Sequence, residues 1–297
     1  MSAMRGSTKA VELNFEALGE LYFAYDDPVP YQLKTGATLF IRPVLLKDSM
    51  IFIQSCDLLD IDKNSSSDVE AIQMSYLRYL SERVLQHQDE QIAKASKQKL
   101  VNICILCLGM ELPYLAKNER GKLVLCDLKH EAITVTEKEF EDVRRIIMHQ
   151  NFADYDDEYI DPDLKKAMNE VKALKAAKFA PISTERRMNI VMAHCGYSKD
   201  AIKSMTYRAF NNLYAEVVGE VDFSATWPIA LYAGKTKDVA HWIYRERKDK
   251  YSEYIKPLDE YKQSIGADGK IRASGDTSNG DALDALFNQQ VNKQGGK

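Results

Sequence analysis

The spacing of apolar positions changes along the chain, and the change predicts two kinds of structure. Near the N-terminus "LYFAY" (21–25) reads as a short strand that ends at Asp26-Asp27-Pro28. "YQLKTGATLFIRPVLL" then places two extended runs around Gly36, the pattern of a hairpin. Pro43 lies inside the second run and makes it an edge strand or a strand end. The next stretch, "DKNSSSDVEAIQMSYLRYLSERVLQHQ", switches to helical spacing. Ser67 with Glu70 has the form of a capping box, and Val69, Ile72, Tyr76, Leu80 and Val84 recur on one face. "QKLVNICILCLGM" is a continuous apolar run, and periodicity alone does not decide between helix and strand. "GKLVLCDLKHEAITVT" predicts a second strand pair that turns near Lys129 and His130.

From Thr136 the pattern is almost entirely helical. Thr136 and Glu139 form a capping box, and Phe140, Val143 and Ile147 mark one buried face. Asp161-Pro162 is an N-cap followed by proline at the first helical position, so a helix restarts there. Leu164, Met168, Val171 and Leu174 are its apolar side, and Pro181 closes it. Met188, Val191, Met192 and Cys195 share the face of a further helix that stops at Gly196. Ser198 caps a short turn, and Thr206 caps a helix whose Phe210, Leu213, Tyr214 and Val217 point inward before Gly219. "ATWPIALYAGKTKDVAHWIYRERKDKYSEYI" follows with both tryptophans.

These elements predict an α+β fold, mostly helical, with small N-terminal β-hairpins followed by a helical bundle. The expected divisions are an α+β domain over residues 1–132, a helical domain over 133–263, and a tail over 264–297. The tail is rich in Gly, Ser, Asn and Asp and is expected to be disordered. Within it "DALDALF" sets Leu283, Leu286 and Phe287 on one face of a short amphipathic segment, a candidate anchor for a partner.

Composition narrows the class. With 45% hydrophobic and 28% charged residues, a chain of 297 residues has enough apolar surface to bury a core. A net charge of −4 disfavours non-specific hold on nucleic acid or an anionic membrane. The N-terminal residues carry no apolar signal core, and no apolar run reaches the roughly 18 residues of a membrane span. Five cysteines, mostly among apolar neighbours, do not form a disulfide framework. A reducing cytoplasm is the expected compartment.

Candidate chemistry is sparse. The acidic run "DYDDEYIDPDLK" aligns Asp154, Asp156 and Glu158 with the first three ligands of an EF-hand loop. Tyr159 stands where that loop needs glycine, and Lys165 where it needs a bidentate glutamate, so the run reads as a solvated connector. Cys104 and Cys107 have redox or zinc spacing, but no second ligand pair accompanies them and apolar residues crowd around them. The five histidines are scattered, and no phosphate-loop or nucleophile-elbow motif occurs. No catalytic, cofactor-binding or metal-binding residue is assigned, and the chain reads as a non-enzyme. Arg208, Asn211 and Asn212 on the helix after Gly196 imitate a helix-turn-helix reader, against mixed surrounding charge.

Five phrases, "PYQLKTGATLFIRPVLLKD", "DKNSSSDVEAIQMSYLRYL", "TEKEFEDVRRIIMHQN", "YIDPDLKKAMNE" and "SKDAIKSMTYRAFNNL", carry a family resemblance over roughly Tyr31 to Leu213. Together they resemble tail-module proteins of tailed bacteriophages of Gram-positive hosts, of the tail assembly chaperone type. The resemblance implies a non-enzymatic assembly factor of the host cytoplasm. It implies binding to tail proteins, the tape measure or the tube protein, before the tube polymerises, with self-association as a further expectation. It supplies no catalytic residues. The alternatives are a structural tail or baseplate component of the virion and a nucleic-acid-binding accessory protein using the Arg208 helix.

Overall fold

The computed structural model describes residues 13–63, 68–157, 162–177, 180–236, 239, 241 and 243. The chain divides into two units, Met1–Trp242 and Ile243–Lys297, and all described residues except Ile243 belong to the first. That unit is a mostly helical α+β fold with two small sheets.

The N-terminus corrects the sequence reading. "LYFAY" is not a strand. Helix α1 spans Phe15–Leu21 and a 3-10 turn follows over Phe23–Tyr25. Asn14 caps α1 by accepting from the Ala17 N–H at 3.0 Å. Phe15, Leu18 and Tyr22 pack on the core at helical spacing, and Asp26 ends the turn at φ 60°. Strands β1 (Val29–Gln32) and β2 (Thr38–Ile41) form the expected antiparallel hairpin, with Gln32 opposite Thr38. Gly36 turns it at φ 87°, a conformation open to glycine at little cost. Pro43 falls beyond the strand.

Helix α2 covers Ser49–Cys56. The single helix expected over 62–88 is broken. α3 (Val69–Gln73) stops at Met74, which is extended, and α4 (Tyr76–Tyr79) restarts from Ser75 before passing into a π-turn over Leu80–Val84. Asp68 is the observed cap of α3, accepting from the Glu70 and Ala71 N–H groups. Ser67 lies outside the described residues. Two contacts hold the break: the Ser75 hydroxyl donates to Glu137 at 2.6 Å, and the Lys63 ammonium donates to the Met74 carbonyl. The expected stripe splits with it, because Tyr76 and Leu80 are buried while Val69 and Ile72 are exposed.

The ambiguous apolar run is the C-terminal half of helix α5, Glu90–Leu108. Asp89 caps its start, and Gly109, at φ 64°, ends it. The second sheet has three antiparallel strands in order: β3 (Pro113–Lys117), β4 (Leu123–Asp127) and β5 (Thr134–Thr136). The β4–β5 pair was legible, whereas β3 was not. Helix α6 (Glu137–Asn151) carries the predicted capping box of Thr136 and Glu139, and Phe140, Val143 and Ile147 are buried as expected.

The remaining helices are α7 (Pro162–Ala177), α8 (Thr184–Cys195), α9 (Lys199–Ser204) and α10 (Tyr207–Tyr232). Asp161 lies outside the described residues. On α7 Met168 is buried but Leu174 is exposed, so its apolar side is only partly used. Gly196, Ser198 and Thr206 terminate and cap as their sequence predicts. α10 does not end at Gly219; it runs on through Pro228 to Tyr232.

Two apolar clusters result. The larger takes residues from Phe23 to Met148, gathering the hairpin, α2, α5, α6 and the second sheet. The smaller joins Leu46 to Val191, Ile202 and Phe210 of α8, α9 and α10. A backbone splice connects them. The Leu46 N–H donates to the Met205 carbonyl at 2.8 Å and the Tyr207 N–H to the Val44 carbonyl at 2.7 Å. Side chains reinforce it: the Val44 N–H donates to Asn151 Oδ1 at 2.9 Å, and the Thr206 hydroxyl donates to Asp26 at 2.6 Å.

Candidate interaction surfaces

The partner-anchor candidates Leu283, Leu286 and Phe287 lie outside the described residues. Of the acidic run, Asp154 is exposed, and Glu158 and Tyr159 are also outside. Asp157 pairs with Arg145 and lies 3.5 Å from His149 Nε2. The pair turns this part of the connector back onto α6. Among the described residues, no three His, Cys, Asp or Glu side chains gather as a metal site requires.

His149 is held in an aromatic setting. Its ring stacks on Phe15 at 4.0 Å and meets Tyr155 edge-on at 5.0 Å. Burial lowers its pKa, against the opposing pull of Asp157. Asp127 shows the reverse case. Its carboxylate is inaccessible, and burial opposes its charge, yet His130 and the N–H groups of Leu112, Lys129 and Glu111 hold it down at about 2. These contacts run from 2.8 to 3.2 Å and tie the loop after α5 to the β4–β5 turn. Cys56, Cys104 and Cys107 are buried, while Cys126 and Cys195 are partly accessible. Burial pushes the Cys104 thiol up to about 12, far from the reactive range.

Two of the three residues of the helix-turn-helix reading, Arg208 and Asn211, are occupied internally. Arg208 donates to the His149 carbonyl at 2.6 Å and lies over the Phe23 ring. Asn211 donates to the Tyr207 carbonyl at 2.9 Å and accepts from Arg187 at 3.2 Å. Asn212 alone of the three is exposed.

Helix α10 presents a different surface. Its first half is anchored by Phe210 and Val217, but the second half leaves large apolar residues in solvent. Val218, Val221, Ala225, Ile229 and Tyr232 are all exposed and follow one another at steps of three or four. Ile229 is 69% and Tyr232 is 93% exposed. That spacing draws one apolar stripe along the helix. Apolar residues at this spacing are the kind a second helix laid alongside engages. No described helix is long and apolar enough to cross a membrane.

No family model, curated protein or solved structure matches the chain.

A second surface lies between α5 and β3, where an open groove of about 460 Å³ runs beside the edge of the three-stranded sheet. Leu85, Leu100, Val101 and Leu115 form its apolar floor, and Lys97 and Lys117 stand on its rim. Sequence reading missed it because β3 was not recognised. The signal was available in "PYLAK" followed by Asn118 to Gly121. The Gly121 N–H donates to the Asn118 carbonyl at 2.8 Å, and the Asn118 side chain accepts from the N–H groups of Arg120 and Lys122. This is the turn chemistry that asparagine supplies.

Proposed function

We propose that this chain is a non-enzymatic phage tail assembly factor that binds a helical segment of a tail protein, the tape measure or the tube protein, during morphogenesis. The observation that carries this reading is the exposed apolar stripe on α10. Four turns of helix with Val218, Val221, Ile229 and Tyr232 in solvent are costly for a chain that works alone. Such a stripe suits a client that is itself a long helix and is held only until assembly. The family resemblance across Tyr31 to Leu213 points the same way. Use of the Arg208 helix as a nucleic-acid reader is weakened, because Arg208 and Asn211 are bonded within the fold.

A structural tail or baseplate component has the same need for an apolar contact face, and composition of the finished particle separates the two. Mass spectrometry of purified virions and of infected-cell lysate is the test. An assembly factor is abundant in lysate, co-purifies with a tail protein and is absent from virions. Stoichiometric recovery from virions overturns the transient role, and failure to co-purify with any tail protein overturns both readings.

A further inference from the structure

The groove beside β3 has a feature that distinguishes it from an ordinary apolar cleft, namely the free edge of a sheet. The Leu128 N–H donates to the Leu112 carbonyl at 3.1 Å, and the Asn118 N–H donates to the Lys122 carbonyl at 2.9 Å. With the β3–β4 register of Tyr114 opposite Cys126 and Ala116 opposite Val124, these bonds fix the alternation of the ladder. Tyr114 and Ala116 turn their backbone groups to β4, while Leu115 and Lys117 turn theirs outward. Among the described residues nothing bonds to those outward groups. Pro113 opens the strand, a position where its missing N–H leaves the ladder intact.

We propose that this edge accepts an extended segment of a partner protein as a fourth strand, with apolar residues at alternate positions and acidic residues flanking them. The backbone of Leu115 and Lys117 supplies hydrogen bonds in register, which only an extended partner can return. Side chains on one face of the added strand meet Leu85, Leu100 and Val101, which accounts for the alternation. The acidic flanks follow from charge: the groove is lined by Lys97 and Lys117 and by no carboxylate. The chain carries a net charge of −4, so this basic rim runs against its own average. The inference goes beyond the assembly role and does not use α10.

The probe is a fluorescein-labelled peptide of sequence Asp-Val-Thr-Val-Thr-Val-Asp, titrated into the full-length chain by anisotropy. Binding is expected, and Lys117→Pro, which removes one outward N–H and one rim charge, weakens it about tenfold at an unchanged melting temperature. Lys117→Glu weakens the acidic peptide and favours a version with lysine flanks. Two further peptides, N-methylated on alternate amide sets, are tested on the unmodified protein and are independent of how the variants fold. One set loses binding and the other keeps it. Equal binding of both methylated peptides, no binding of the parent peptide, or indifference to Lys117→Glu overturns the proposal. So does a wild-type dimer that Lys117→Pro dissociates, because the edge then belongs to a second copy. The virion measurement is unaffected by any of these results.

Discussion

Two ionisable residues show how local surroundings set their energetics. Asp127 is buried yet ionised because four donors converge on it. Asp127→Asn puts an NH₂ where one oxygen accepted, so at least one buried N–H loses its partner. The expected cost is about 2 kcal/mol, seen as a fall in melting temperature of roughly 4–8 °C. An unchanged melting temperature removes the claim that this carboxylate ties the α5 loop to the sheet. His149 tests the opposite sign. Its folded pKa lies below its unfolded value, so the unfolded chain binds the extra proton first. The neutral ring is stable in the fold above a pH of about 6.5, the ordinary histidine value. Stability then falls as pH drops below that, towards the folded pKa. In denaturant titrations between pH 7.5 and 5, His149→Gln is expected to flatten this slope. A slope equal to wild type excludes His149 as its source. Neither environment was legible beforehand, since three of the four partners of Asp127 are backbone N–H groups and those of His149 include Phe15, far away in sequence.

At the level of elements, sequence was informative wherever a local device settles the outcome. The Thr136–Glu139 box, Gly196, Ser198 and the Gly36 hairpin act through their nearest neighbours, and each is found in place. Sequence failed where a distant contact overrode an unbroken periodicity. The run Val69, Ile72, Tyr76, Leu80, Val84 keeps helical spacing across a break in the helix at Met74 that Glu137 and Lys63 hold. β3 was missed for a related reason: a five-residue edge strand begun by proline has little pattern to show. Helix α10 bears the main functional prediction at this scale. Val221→Glu combined with Ile229→Glu changes exposed positions and leaves the melting temperature within the range of ordinary surface substitutions, about 0.5 kcal/mol each. If the proposed function holds, capture of the proposed tail-protein client, measured by pull-down with purified candidates, is expected to fall at least tenfold. Undiminished capture rules out the stripe as the client surface.

Across the first unit, the splice of Val44–Leu46 against Met205–Tyr207 ties the helices α8 to α10 to the segment that follows the N-terminal hairpin. Leu46 is the one member of the smaller cluster that comes from the N-terminal part of the chain. Leu46→Ala is expected to cost about 3 kcal/mol, within the range for a buried leucine. Hydrogen exchange should place that loss mainly in α8, α9 and α10, with α5 and α6 keeping their protection. A uniform loss over all helices contradicts the division into two clusters. No local sequence signal announces this joint, because an isolated bridge of Leu45 to Thr206 leaves no periodicity to read. Its position also governs timing during synthesis. Asp26 and Thr206 are 180 residues apart, an interval of on the order of 10–40 s on a translating ribosome. Through that interval the nascent N-terminal half has its hairpin but not the helices that cover Leu46. A ribosome arrested before codon 206 therefore displays an apolar side chain that the finished protein conceals, and synthesis of the rest of α8 to α10 is what conceals it.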